Sequence, residues 1–365
     1  MSVKTVAQLT AKTKDSYFQS IRGICIICVV LIHCRAGALY LQNSDHIWNY
    51  HYWLILRQII NFAVAVFIFM AGYFTNIEKV KSQKMGYYLK RVTRLVIPFV
   101  IWSTFYTIIN IAANGFKFDA FKELINLFTG QSSTGLYFIV ALIQLIILTP
   151  ILIKRINKNY FKILCMLLAF VYLASYYTSY YLSGSAYTSL FAYFFPAWLI
   201  YYYLGIYVRV SGKDYLFGFK SKGKTDLSLG VLLVIISFAI SVTESYLLKS
   251  YAMPDSFLVS QLKASNVLYS VCVINLILLI KKYMQPKTQK TLLTLGNNSF
   301  GIYFIHIFWL LVINNAIMPY IPFVEAVVPL YQLIQLVLTI SLCMLSIKLA
   351  KLVFGEKGAS SLFGF

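Results

Sequence analysis

The chain has 365 residues, 60% of them hydrophobic and only 12% charged, with a mean hydropathy of +0.74. Its apolar residues fall in runs of about 20, the length that crosses a hydrocarbon core, which excludes a soluble domain; runs of helix length rather than ten-residue alternations also exclude a barrel. The formal charge of +21 sits in short loops between those runs, which is the positive-inside pattern rather than a nucleic-acid footprint.

Residues 1–18 carry Lys4, Lys12 and Lys14 and read as a cytoplasmic tail. Those opening residues are polar, so no cleavable signal peptide is expected. The first span is predicted over 20–39 and the second over 52–74, with Asp45, His46 and His51 between them. A strongly basic loop with Lys79, Lys81, Lys84, Lys90, Arg91 and Arg94 leads to a third span over 95–113. Pro98 falls in the first turn of that span, where proline is tolerated. Residues 117–128 are amphipathic and too short to cross, so they are predicted to lie in the outer interface.

Further spans are predicted over 135–153, 161–180 and 188–208. A polar loop over 209–226 leads to spans over 227–242 and 264–279, and a loop holding Glu244, Lys249 and Asp255 joins these two. The last spans cover 298–317 and 327–353, and residues 355–365 read as a second cytoplasmic tail. The expected fold is therefore an all-α membrane bundle of about ten transmembrane helices over 19–354, with both termini cytoplasmic. No internal repeat of the transporter type is visible.

Within the first span, Arg22 and His33 are eleven residues apart. Eleven helical steps make three turns plus about 20°, so the two side chains share one stripe and are separated by about 16 Å. An ionisable group inside a membrane segment needs a cavity or a partner, so the stripe is expected to face the protein interior. Arg22 reads either as a snorkelling anchor or as a cation at the mouth of a cavity that binds an anion. His33 reads either as an interhelical donor, as a general base near neutral pH, or as a transient acyl acceptor. Topology alone accounts for Arg91 and Arg94, yet arginine also grips phosphate in two-pronged fashion. Arg57, near the outer end of the second span, serves either packing or substrate.

Ser299, Tyr303 and His306 follow one another at i+4 and i+3 spacing and share a helix face, as a hydrogen-bonded cluster or as site residues. Cys25-x-x-Cys28 has redox spacing, but no second pair accompanies it and all six cysteines lie in apolar runs, so they read as small hydrophobes. No Walker loop, HExxH, GxSxG or metal-ligand spacing occurs, and no bound cofactor or metal is expected. Carboxylates are nearly absent from the predicted spans, which argues against a carrier coupled to protons through membrane Asp or Glu.

Five stretches in order resemble the acyltransferase family 3 membrane proteins, which acylate bacterial surface sugars. They are Arg22-x10-His33; Phe67-Ile-Phe-Met-Ala-Gly72-Tyr-Phe; Arg91-x-x-Arg94-Leu-x-x-Pro98; Leu136-Tyr-Phe through Pro150; and Leu295-Gly296-x-x-Ser299-Phe-Gly301-Ile-Tyr303-x-Ile-His306. The sequence departs from the family pattern at Ala71, where Ser is usual, and at Tyr137, where Trp is usual. Thr134 and Gly135 stand where a His often precedes that segment.

The resemblance implies an enzyme of the bacterial cell membrane that uses cytoplasmic acyl-coenzyme A, acetyl-coenzyme A being the expected form. The implied acceptor is a sugar hydroxyl of a capsule, an exopolysaccharide or a lipid-linked precursor. It implies His33 as the catalytic group, with Arg22, Arg91 and Arg94 holding the donor. Arg57, Ser299, Tyr303 and His306 are candidate supports. The competing reading is an exporter or flippase for a polysaccharide or lipid-linked sugar. His33 separates the two, because transfer to a hydroxyl needs a base and export does not.

Overall fold

Inside lipid no water satisfies backbone N–H and C=O groups, so each apolar run closes its own hydrogen bonds as a helix. The computed structural model describes residues 15–34, 47–82, 85–116, 119–183, 188–213, 215–217, 224–281, 290–321 and 327–365. Expectations placed on residues 1–14, on Asp45 and His46, and on the loops over 218–223 and 282–289 lie outside them. Every described element is helical. In chain order they are α1 (Ser16–His33), α2 (Ile47–Ile60), α3 (Phe62–Tyr73), α4 (Ile77–Lys81), α5 (Met85–Ala113), α6 (Ala120–Thr129), α7 (Tyr137–Arg155) and α8 (Asn159–Ser183). They continue as α9 (Pro196–Ser211), α10 (Lys224–Ser250), α11 (Asp255–Leu258), α12 (Ala264–Ile280), α13 (Lys290–Asn297), α14 (Ser299–Ala316) and α15 (Val328–Phe363).

Nine spans among the described residues are long and apolar enough to cross a membrane, α2 and α3 together making one of them. The shorter apolar α12, at 17 residues, brings the set to the expected ten. The protein is thus a multi-pass helical membrane bundle. On the basic face, Lys281 at the end of α12 pairs with Asp15 at the start of α1, at 3.0 Å.

Glycines set the closest helix contacts, as they do where small residues let membrane helices approach. A Cβ on Gly72 of α3 would stand 2.3 Å from the Tyr202 carbonyl oxygen, and one on Gly205 of α9 would stand 2.1 Å from that of Phe69. In the same way, a Cβ on Gly23 of α1 would meet the Leu292 carbonyl at 2.3 Å, and one on Gly296 that of Gln19 at 1.8 Å. These two backbone-to-backbone seams fix α1 against α13 and α3 against α9.

Expectations on two spans are corrected. Helix α5 begins at Met85, so Pro98 lies deep in a 29-residue helix rather than in its first turn. The basic residues Lys90, Arg91 and Arg94 are the first turns of the same helix, and hydropathy does not register a helix that projects beyond the apolar run. Second, α10 runs on to Ser250 and carries Glu244 within it, where a loop was expected. Glu244 accepts from the hydroxyls of Tyr177 and Ser265, so its charge is held inside the bundle.

The segment between α10 and α12 folds down among the helices. Gln58 donates to the Leu258 carbonyl and Asn61 to that of Val259, both at 3.1 Å. Lys263 is fully buried, and its ammonium donates to the Ser241 carbonyl.

Two peripheral helices complete the fold. Helix α6 is capped by Asp119, which accepts from the backbone N–H groups of Phe121 and Lys122. It exposes Phe121, Leu124, Ile125 and Phe128 on one face, as an interfacial helix does. Helix α15 turns at Gly355 (φ 70°), and the rest, expected as a tail, packs back on the bundle. There the indole of Trp102 donates to the Phe363 carbonyl at 3.1 Å, and the Phe365 ring packs tilted against the same indole, 5.9 Å between centroids.

The Gly205 seam gives a direct stability test. Gly205→Ala places a methyl against backbone and is expected to lower stability by about 1–3 kcal/mol. Gly86→Ala, whose Cβ meets nothing within 4 Å, is the neutral control. Thermal unfolding of the purified protein in detergent reads the difference.

Candidate functional site

The placement of Arg22 and His33 follows from the wheel of α1. Phe18, Cys25, Ile26 and Val29 lie within about 60° of Arg22 around the helix, and all four are buried. Ile24, Ile27 and Leu31, on the opposite side, are partly exposed. Arg22 and His33 therefore sit in the middle of the inward arc, yet each keeps some accessible surface.

At the basic face the three candidate arginines gather at the C-terminal end of α3. The Arg22 guanidinium lies 5.5 Å over the ring of Phe74, and Arg94 is near enough to act on its charge. Arg91 donates to the Ala71 carbonyl at 2.8 Å and to the Thr75 hydroxyl at 3.0 Å, which satisfies orphan acceptors at the helix end. The negative end of the helix dipole favours cations here. Among the described residues no carboxylate lies within 4.0 Å of any of the three. The cluster thus has spare positive charge, although Arg91 already spends donors on capping.

About 16 Å further along α1, His33 meets a second set of groups. Its ring centroid is 5.2 Å from that of His306 on α14. The Nδ1 of His306 lies 2.7 Å from the Tyr303 carbonyl and 3.1 Å from that of Ile302. Carbonyls only accept, so Nδ1 carries the proton, which leaves Nε2 as a buried acceptor without a partner. The Tyr303 hydroxyl donates to the carbonyl of Gly135, in the turn before α7. Gly135 has φ of 103°, and a Cβ there would lie 3.6 Å from His33 Nε2. The absence of a side chain keeps open the space beside that nitrogen.

Arg57 of α2 closes the ring of groups. Its Nη1 donates to the Ile32 carbonyl, one residue before His33, at 2.7 Å, while its Nε is buried without a partner. An aromatic wall runs past these groups, with Phe138 5.5 Å from Tyr303 and 6.4 Å from Phe67.

The structure brings His33, His306, Tyr303 and Arg57 together. It leaves Ser299 at the basic end of α14, about 10 Å of helix below His306. Sequence reasoning gave Gly135 no role; the signals were its place in the polar turn Ser132-Ser-Thr-Gly135 just before an apolar run and its departure from the family pattern at that point. The half-buried Glu244 and the buried Lys263, also unanticipated, stand apart on α10 and at the start of α12.

A family profile described as an acyltransferase domain matches residues 15–348, nearly the whole chain. The chain belongs to the acyltransferase family. Relatives of this acyltransferase include the probable poly-beta-1,6-N-acetyl-D-glucosamine export proteins of Staphylococcus aureus strains MSSA476 and MW2. Each is 24% identical over 299 residues, which is 79% of either chain. No solved structure matches.

The Tyr303 bond makes one prediction for the acyltransferase. Tyr303→Phe strands the Gly135 carbonyl, and a buried acceptor left unpaired costs about 1–3 kcal/mol. The expected result is a lower thermal midpoint together with slower turnover, read by unfolding in detergent and by acyl transfer in the same preparation.

Proposed function

We propose that this acyltransferase carries an acyl group, with acetyl the expected unit, from cytoplasmic acyl-coenzyme A to a sugar hydroxyl of a surface polysaccharide or of its lipid-linked precursor. The observation that supports this most is the inward stripe of α1. It sets a guanidinium at a cationic mouth and an imidazole about 16 Å deeper along one rod.

The anionic head of coenzyme A binds at Arg22 and Arg94, with Arg91 holding the end of α3 that shapes the mouth. The long arm follows the stripe and brings the thioester beside His33. Nε2 of His33, with open space next to Gly135, takes the proton from the sugar hydroxyl as that oxygen attacks. A direct acyl relay through His33 is not needed for this chemistry, and the base role is the simpler one. His306 accepts nothing from the described residues at Nε2, so it can take a hydrogen bond from the His33 ring and fix its tautomer.

The names of the staphylococcal relatives favour two further points. They support an amino-sugar polymer as the acceptor, and they give the export reading its support. In that reading the protein moves polymer across the membrane, and His33 is a packing residue.

His33→Ala discriminates between the two. It is expected to reduce acylation of the polymer by about a hundred- to ten-thousand-fold while polymer still reaches the cell surface. NMR of the purified polysaccharide, with the ester signals as readout, measures the first effect, and the yield of surface polymer measures the second. Loss of polymer with esters intact on what remains supports export instead. Arg22→Ala is expected to weaken coenzyme A binding in a direct titration, and unchanged affinity removes its donor role.

A further inference from the structure

Arg57 is a full cation placed among groups that offer it no anion. Its titratable neighbours are His33 and Tyr137, neither of which is a carboxylate. No carboxylate oxygen among the described residues lies within 4.0 Å of it. One of its donors caps the Ile32 carbonyl, and Nε is buried with nothing to bond.

Capping alone does not explain this arrangement. One N–H suffices for one carbonyl, and a neutral amide supplies it without burying a charge. The same bundle shows how an ordinary buried cation is treated. Lys263 is fully buried, but it donates to Ser241 and Ser245 and has Glu244 as its opposing charge. Arg57 keeps some accessible surface but has a buried, unpartnered Nε and no counter-charge, and it bonds the carbonyl of the residue just before His33.

The geometry points to Arg57 as the oxyanion-stabilising residue of acyl transfer, its guanidinium charge answering negative charge that exists only during the reaction. This deepens the acyltransferase reading above and rests on it. In the step, the sugar oxygen forms a bond to the thioester carbon, and its proton passes to His33 Nε2. The carbonyl π pair moves onto the carbonyl oxygen, and Arg57 faces that anion. The pair then returns, the carbon–sulfur bond breaks, and the leaving thiolate takes the proton from His33 as coenzyme A thiol. A donor that is strong only when charge develops accelerates the chemistry without tightening substrate binding.

The test uses full-length protein in proteoliposomes, with radiolabelled acetyl-coenzyme A as donor and polymer from cells lacking the protein as acceptor. Arg57→Gln is expected to slow transfer by about 100- to 1000-fold, with coenzyme A affinity within twofold of wild type in a direct titration. Arg57→Lys is expected to fall between the two, because an ammonium cannot cap Ile32 and also reach the reacting oxygen with a fixed fork. If Arg57→Gln does not fold, Arg57→Lys carries the decision, and a wild-type rate in it overturns the proposal. A loss of coenzyme A affinity matching the loss of rate also overturns it, since it assigns Arg57 to donor binding. His33→Ala runs in parallel. If it abolishes transfer while Arg57→Gln does not slow it, Arg57 alone loses its role. If neither changes transfer, the acyltransferase chemistry at His33 fails as well.

Discussion

Charge inside hydrocarbon has to face protein, and most of this bundle can be read as the consequence of that for one helix. Helix α1 carries a guanidinium and an imidazole on a single stripe, so the stripe must be enclosed. Helix α13 closes against it through the Gly23 and Gly296 seam, and α3, α14 and α15 cover the rest.

Counter-charge divides the cations of the bundle into two kinds. Lys263 is buried, hydrogen-bonded and within the field of Glu244, and it pins the inward-folded segment between α10 and α12 as a piece of architecture. The arginines at the basic mouth and Arg57 beside His33 have no carboxylate in reach among the described residues. An electrostatic deficit of this sort destabilises the empty protein and is relieved by an anionic ligand or an anionic transition state. Arg91 is intermediate, because its fork is already committed to Ala71 and Thr75.

Hydropathy made the ten crossing helices legible, because length and apolarity are properties of a single segment. The inward stripe of α1 was legible for a similar reason: eleven residues is close to a whole number of turns. What escaped was whatever depends on two segments at once. Glu244 looked like a loop residue because one carboxylate ends an apolar run, and its partners Tyr177 and Ser265 are on other helices. Pro98 looked like a helix start because the charged turns before it are helical but not apolar. Gly135 had no side chain to attract notice, and only the approach of His33 and Tyr303 gives it meaning.

The short α12 leaves a step inside the bundle. Seventeen residues rise about 25 Å, against a hydrocarbon core of about 30 Å. The missing height is filled by peptide groups over 255–263 that bond to Gln58, Asn61 and Ser245 rather than by another apolar turn. Most of α12 is buried and packs on α10, so the step faces protein. The same helix-to-loop bonds hold α2, so loosening the inward-folded loop reaches the guanidinium that caps α1 next to its imidazole.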